Sequence, residues 1–165
     1  MFAAISRLTI QFLVYFAPIH PWFKIIGILL TEAVDSLLLS MMNVSNLADS
    51  PIYAIHDKLN DLVGFVLVLL VIQKEAILPP YAIAILVATV VYRTVQVPAY
   101  FVIHNWSFVA FPDFFKELLA ALLVINWIRP KAKAKAINIA ITCVVVCIFK
   151  TMYEYFYHVE RLFGK

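Results

Sequence analysis

The residues of this chain that could do chemistry are ionisable groups set inside long apolar stretches. In chain order they are Glu32, Asp35, Asp61, Arg93, Lys116 and Glu117. Arg93 lies near the middle of residues 81–104, which contain no other Asp, Glu, Lys or Arg. A charge at the centre of a bilayer costs at least ~2.5 kcal/mol, so intramembrane charges usually face one another. We therefore predict that these six residues form a buried charge network.

The network requires apolar segments that bring its members to one depth. Residues 81–104 rise about 36 Å as a helix, which is enough to cross a hydrocarbon layer of ~30 Å. The other charges fall at similar positions within their own apolar segments. Because a guanidinium fork suits paired carboxylates, we expect Arg93 to pair with Glu32, Asp35 or Asp61. We expect Lys116 to pair with a remaining acid.

Acids outnumber cations in this predicted network, four against two. Carboxylates that lie close together favour protonation of one of them. A shared or exchangeable proton is what a proton-coupled carrier or an ion path uses. The alternative is a static hydrogen-bonded network that fixes the register of the helices, and the sequence favours this static interpretation.

The composition indicates where these helices lie. Hydrophobic residues make up 64% of the 165 residues and charged residues 14%, against about 25% charged in ordinary soluble domains. The mean hydropathy is +0.93. A soluble chain of this length could not bury so much apolar surface in one core. The sequence therefore predicts an all-α, polytopic helical membrane bundle with the lipid bilayer as its surroundings.

We predict a single bundle over residues 1–165 with about five transmembrane helices. The predicted spans lie at about 22–42, 51–73, 81–104, 108–128 and 136–158. Residues 2–17 are predicted to form an interfacial helix, since sixteen residues rise only about 24 Å. A true span over residues 2–17 is the alternative.

The basic residues predict the topology. Arg129, Lys131, Lys133 and Lys135 form a compact loop, which the positive-inside rule places in the cytoplasm. The loops predicted on the opposite side, 43–50 and 105–112, contain no Lys or Arg. The net charge is only +3, so we interpret the basic cluster as a topology signal and expect no nucleic-acid partner.

No catalytic or cofactor signature accompanies the charges. The sequence has no Gly-rich phosphate loop, nucleophile elbow or H-E-x-x-H motif. The four histidines fall near different predicted membrane boundaries, and no pair suits a haem or a metal. Cys143 and Cys147, four residues apart in an apolar run, are interpreted as packing residues. We therefore expect no enzyme activity, cofactor or metal site.

Residues of about 59–135 resemble the bacterial phosphate-starvation-inducible PsiE family of small inner-membrane proteins. The matching features are an acid-led apolar helix from Asn60-Asp61, a helix with Arg93 in its middle, and a helix that ends in the basic cluster before residue 136. Glu32 corresponds to an acid in the family's preceding helix. The resemblance implies a bacterial inner (plasma) membrane location and a four-helix core, and it implies no defined reaction.

Three functional classes follow from these observations. The first is an accessory, regulatory or assembly component that acts through helix–helix contacts with itself as a homo-oligomer or with another membrane protein complex. The alternative is an oligomeric ion channel or proton-coupled transporter that uses the mid-membrane acids. An intramembrane enzyme is the third class, and no nucleophile–base constellation supports it.

Overall fold

The computed structural model describes residues 2–41, 51–103, 106–128 and 136–156, and within these ranges the regular structure is entirely α-helical. The helices are α1 Phe2–Phe16, α2 Pro21–Met41, α3 Pro51–Lys74, α4 Pro80–Ile103, α5 Trp106–Ala110, α6 Phe115–Ile128 and α7 Ala136–Tyr155. The predicted all-α fold class is confirmed for the described residues.

Local sequence signals explain where several helices begin and end. Proline is the first residue of α2, α3 and α4, where its fixed φ suits the first turn and its missing N–H is not needed. Helix α3 ends in a Schellman motif, in which Ile77 N–H donates to Ile72 O at 3.0 Å. Ala76 provides the left-handed residue of this motif, with φ at 48°, a position that usually carries glycine.

The predicted span at 108–128 is a continuous helix only from Phe115 onward. Helix α5 ends at Ala110, and residues 111–114 are not helical. Asp113 Oδ1 accepts a hydrogen bond from Phe115 N–H at 3.0 Å and so caps the start of α6. The fourteen residues of α6 rise about 21 Å, less than the ~30 Å of a hydrocarbon layer.

The chain divides into two compact units, where the sequence predicts a single bundle. The N-terminal unit is Met1–Ile77 and the C-terminal unit is Leu78–Lys165. In the N-terminal unit, α1, α2 and α3 all pack on one another. In the C-terminal unit, α6 packs on α4 and α7, and α5 packs on α4 and α7.

Helix α1 runs along the other two helices of its unit. Gln11 contacts Thr31, whereas Val14 lies 3.0 Å from the position that a Cβ on Gly27 would take. The α2 partner number therefore falls as the α1 number rises, so α1 is antiparallel to α2. Arg7 bonds to Asp57 and Asp61, and Tyr15 shares a cavity with Val71, so α1 is parallel to α3.

Large apolar side chains are exposed on every long helix. Examples are Leu13 at 65%, Phe23 at 66%, Val91 at 61% and Phe149 at 70% exposure. Helix α4 is the one helix of the described ranges that is long and apolar enough to cross a membrane by length and composition. This finding supports one of the five predicted spans, and the other four stay predictions.

Candidate functional site: two buried polar clusters

The first cluster is built around Arg7 in the N-terminal unit. Arg7 Nη1 lies 2.9 Å from Asp57 Oδ1, and Arg7 Nη2 lies 2.5 Å from Asp61 Oδ1. The side chains of Arg7 and Asp61 are only 4% and 5% exposed, and that of Asp57 is 22% exposed. One guanidinium thus holds two carboxylates that are four residues apart on the same face of α3.

A layer of neutral hydrogen bonds lies one turn further along α1. Gln11 Nε2 donates to Thr31 Oγ1 at 3.1 Å and to the carbonyl oxygen of Asn60 at 3.3 Å. Gly64 allows this contact, since a Cβ at that position would lie 2.8 Å from Gln11 Nε2. Arg7 and Gln11 therefore use a single face of α1 to join α2 and α3 through buried polar groups.

Glu32 belongs to the surroundings of Arg7. Glu32 interacts electrostatically with Arg7. Lys58 lies 3.0 Å from the second oxygen of Asp57. The Arg7 cluster therefore has two carboxylates paired with one guanidinium, a third acid within electrostatic range, and a second cation at its edge. The side chain of Asp35, a predicted member of the network, lies outside the described residues.

The second cluster lies in the C-terminal unit and includes the inward face of α4. Arg93 is 5% exposed and Gln96 is 1% exposed. Gln96 Nε2 donates to the carbonyl oxygen of Ser107, in α5, at 3.3 Å. One residue before Arg93, the ring of Tyr92 lies 5.2 Å from that of Phe111.

Asp113 is the buried acid beside these contacts. It is 6% exposed, and it follows Phe111, whose ring packs on Tyr92. Tyr92 also stacks on Phe114, with ring centroids 6.0 Å apart. Lys116 Nζ lies 3.7 Å from Asp113 Oδ2. Asp113 thus lies in the segment whose two neighbouring aromatic rings pack on Tyr92 of α4.

A third ionic group joins α6 to α7. Lys150 Nζ lies 2.9 Å from Glu117 Oε1 and 3.2 Å from Glu154 Oε1. Lys150 also lies 5.2 Å from the centroid of the Tyr153 ring. Two carboxylates therefore share one ammonium at the α6–α7 contact.

The six predicted network residues fall three in each unit. Asp61 is buried as expected, but its ion pair is with Arg7, which lies outside the predicted set. Lys116 is paired with Asp113, and Glu117 with Lys150, two more residues that the prediction left out. The sequence held a signal for the first case, because Arg7 and Gln11 are four apart and face one way.

The chemistry of these clusters is ionic and hydrogen-bonding. Among the described residues, no group of three or more His, Cys, Asp or Glu side chains is placed to hold a metal ion. Cys143 and Cys147 are free thiols on α7. Ion pairs and hydrogen bonds of this kind can fix one helix against another.

Comparison with protein-family models, with curated proteins and with solved structures finds no match for this chain.

Proposed function

We propose that this chain is a small integral membrane protein that acts as an accessory or assembly component through helix–helix contacts. The observation that carries the proposal is that charged side chains are buried and large apolar side chains are exposed, the reverse of the usual distribution in a water-soluble protein. Arg7, Asp61 and Arg93 are buried, whereas large apolar side chains of every long helix are exposed. Exposed apolar surface of this extent is unfavourable in water at about 25 cal/mol per Å² and is accommodated by lipid.

The polar clusters have a clear purpose in such surroundings. Lipid supplies no hydrophobic force between helices, so close packing and interhelical hydrogen bonds must hold them together. The bonds from Arg7 to Asp57 and Asp61 join α1 to α3, and Gln11 joins α1 to both partners. Their burial supports a structural role, and the exposed apolar faces remain for contact with lipid or with a partner.

The N-terminal unit supports part of the predicted topology. Lys24 at the start of α2 and Lys74 at the end of α3 line the same small cavity, with Tyr15 and Glu75. Both lysines therefore lie at one end of the unit, as the positive-inside rule requires if that end is cytoplasmic. We place this end and the Arg129–Lys135 loop in the cytoplasm, with spans at about 22–42, 51–73, 81–104, 108–128 and 136–158.

The path of α1 favours the transmembrane alternative for residues 2–17. A helix that lay flat on the bilayer would meet α2 and α3 at a single depth. Instead, α1 contacts residues from Asp57 to Val71 of α3 along its length. We therefore place α1 alongside the other two helices, with the N-terminus on the side opposite Lys24.

Cysteine labelling in intact cells tests this arrangement. In a background with Cys143 and Cys147 replaced by Ser, a membrane-impermeant maleimide should not label Lys24→Cys or Lys74→Cys until the cells are opened. Ser6→Cys tests the placement of α1. Reaction of Lys24→Cys and Lys74→Cys from opposite sides, or release of the chain from membranes by alkaline carbonate, would refute the membrane proposal.

The accessory role is tested by native purification. Extraction in polymer-bounded lipid particles should yield the chain with a stoichiometric partner or as a homo-oligomer, visible by native mass spectrometry. Mutation of a lipid-facing residue such as Phe149 to Ala is expected to weaken the contact if α7 forms it, with Leu13→Ala as the matched change on α1. A monomer with no partner would contradict the proposal.

The excess of acid around Arg7 supports a second candidate, an oligomeric ion channel or proton-coupled transporter. Asp57 and Asp61 pair with one guanidinium, and Glu32 acts on it electrostatically, so three acids are gathered at one place in the unit. This candidate predicts a proton flux in proteoliposomes that Glu32→Gln abolishes while the fold is kept. The resemblance to the PsiE family adds a bacterial inner membrane as the proposed location and favours neither candidate.

A further inference from the structure

An open groove runs along α7 beside the N-terminal part of α6. Its volume is about 490 Å³, within the range of about 300–1,000 Å³ that small-molecule sites occupy. The lining is mostly apolar and spans two turns of α7. It consists of Glu117, Val145, Val146, Phe149, Lys150 and Tyr153.

The charges beside this groove belong to Glu117 and Lys150, which line it, and to Glu154, which pairs with Lys150 without lining the groove. Lys150 Nζ is divided between Glu117 Oε1 at 2.9 Å and Glu154 Oε1 at 3.2 Å. When all three are ionised, the group carries a net negative charge. The nearby cation Lys116 does not line the groove and lies 3.7 Å from Asp113. The groove is therefore complementary to a positive ligand.

Glu117 has unused capacity to accept such a ligand. Its Oε1 faces Lys150, while its Oε2 accepts no hydrogen bond from the described part of the chain. A carboxylate has about four acceptor positions on its two oxygens, and an acceptor left unsatisfied away from water is costly. Because Glu117 lines the groove, a positive charge placed beside its carboxylate would be attracted to it while Lys150 stays with Glu154.

Aromatic faces add to the attraction for a cation. Tyr153 already has the ammonium of Lys150 at 5.2 Å from its ring centroid, which is within the usual distance for a cation–π interaction. Phe149 is 70% exposed and lies one turn earlier on the same helix. The groove thus offers apolar and aromatic contacts together with a negative charge.

We propose that the α6–α7 groove binds lipophilic organic cations, with Glu117 as the residue that recognises the positive charge. The apolar body of the ligand lies against Val145, Val146 and Phe149. Its cationic centre lies beside Glu117, and Lys150 keeps its contact with Glu154. A small inorganic cation would leave the apolar lining uncovered, and an anion would be repelled by the two carboxylates.

Equilibrium dialysis with the full-length protein in nanodiscs of zwitterionic lipid tests the proposal. The probe is tetraphenylphosphonium, and its matched control is tetraphenylborate, which has the same shape and the opposite charge. Binding to empty nanodiscs is subtracted for both ions. We expect saturable binding of the cation and at least tenfold weaker binding of the anion.

Three variants separate the charge from the shape of the site. Glu117→Gln should weaken tetraphenylphosphonium binding at least tenfold, and Val145→Trp should do so by filling the groove without changing its charge. Glu75→Gln, at the end of α3 in the other unit, is the matched control and should leave binding unchanged. Circular dichroism verifies that each variant is folded.

Two results would overturn the proposal. One is equal binding of tetraphenylphosphonium and tetraphenylborate to the wild-type protein. The other is unchanged cation binding in a folded Val145→Trp variant, which keeps the test decisive even if Glu117→Gln does not fold. Neither result depends on the partner or on the oligomeric state expected of an accessory membrane protein.

Discussion

Replacement of Arg7 by methionine should strongly destabilise the N-terminal unit. Arg7 is paired with Asp61 at a site where both side chains are at most 5% exposed, and it also holds Asp57. Removal of one member of a buried ion pair typically costs 3–5 kcal/mol, because the other charge stays buried without compensation. Methionine keeps most of the apolar stem of arginine, so the loss from packing should be small by comparison.

A double-mutant cycle separates the free-energy cost of losing the Arg7–Asp61 ion pair from the cost of losing the packing of the Arg7 side chain. Arg7→Met should cost about 3–5 kcal/mol alone, whereas the same change in an Asp61→Asn background should cost only about 1 kcal/mol, since the buried charge is gone. Asp57→Asn should cost about 1 kcal/mol or less, because Asp57 is partly exposed and also contacts Lys58.

The assay is reversible unfolding in dodecyl maltoside micelles titrated with SDS and followed by far-ultraviolet circular dichroism. Lys74→Met is the matched control. It removes a cation from an exposed position at the end of α3 and should change the stability by less than about 0.5 kcal/mol. Equal costs of Arg7→Met with and without Asp61→Asn would refute the reasoning that these two charges are coupled.

Four further substitutions test other contacts, each by the same unfolding titration. Gly64→Ala should destabilise the otherwise wild-type protein, because the added Cβ would meet Gln11. In a Gln11→Ala background the same change should stabilise the protein by about 0.5–1 kcal/mol, because alanine has a higher helix propensity than glycine. Destabilisation in both backgrounds would contradict the Gln11 contact. Arg93→Met and Asp113→Asn should each destabilise the C-terminal unit, because both side chains are buried, and unchanged stability of either variant would contradict a structural role for that residue. Ala76→Gly should stabilise by about 1 kcal/mol through relief of the positive φ, and a loss would argue against that conformation.

The sequence predicts the helices well because their signals are local. Prolines at positions 21, 51 and 80 start α2, α3 and α4, and the apolar runs between them are long. The start of α6 was predicted only in part. The sequence predicts a loop at 105–112, which overlaps the span predicted at 108–128. The structure has a short helix inside that loop, α5, and begins α6 at Phe115, where Asp113 accepts a hydrogen bond from Phe115 N–H.

The sequence predicts the ion pairs less well because depth along a helix does not fix rotation around it. Glu32, Asp61 and Arg93 have similar depths, and depth alone made Arg93 a plausible partner for either acid. The structure gives Asp61 a partner, Arg7, from a segment that was predicted to lie on the membrane surface. Glu117 likewise has a partner outside the predicted network, Lys150 of α7.

The contacts of α1 connect the fold to the chemistry of the N-terminal unit. Arg7 bonds to Asp57 and Asp61, and Gln11, one turn later on α1, bonds to Asn60 and lies against Gly64, so α1 runs beside these turns of α3. The glycines at 27 and 64 are the positions where added side-chain atoms would meet α1. Because α1 brings a cation to two acids of α3 and an amide to polar groups of α2 and α3, it completes the polar core of the unit. Without α1, Asp57 and Asp61 would lose the guanidinium that pairs with them, which accounts for an arginine on a short apolar helix.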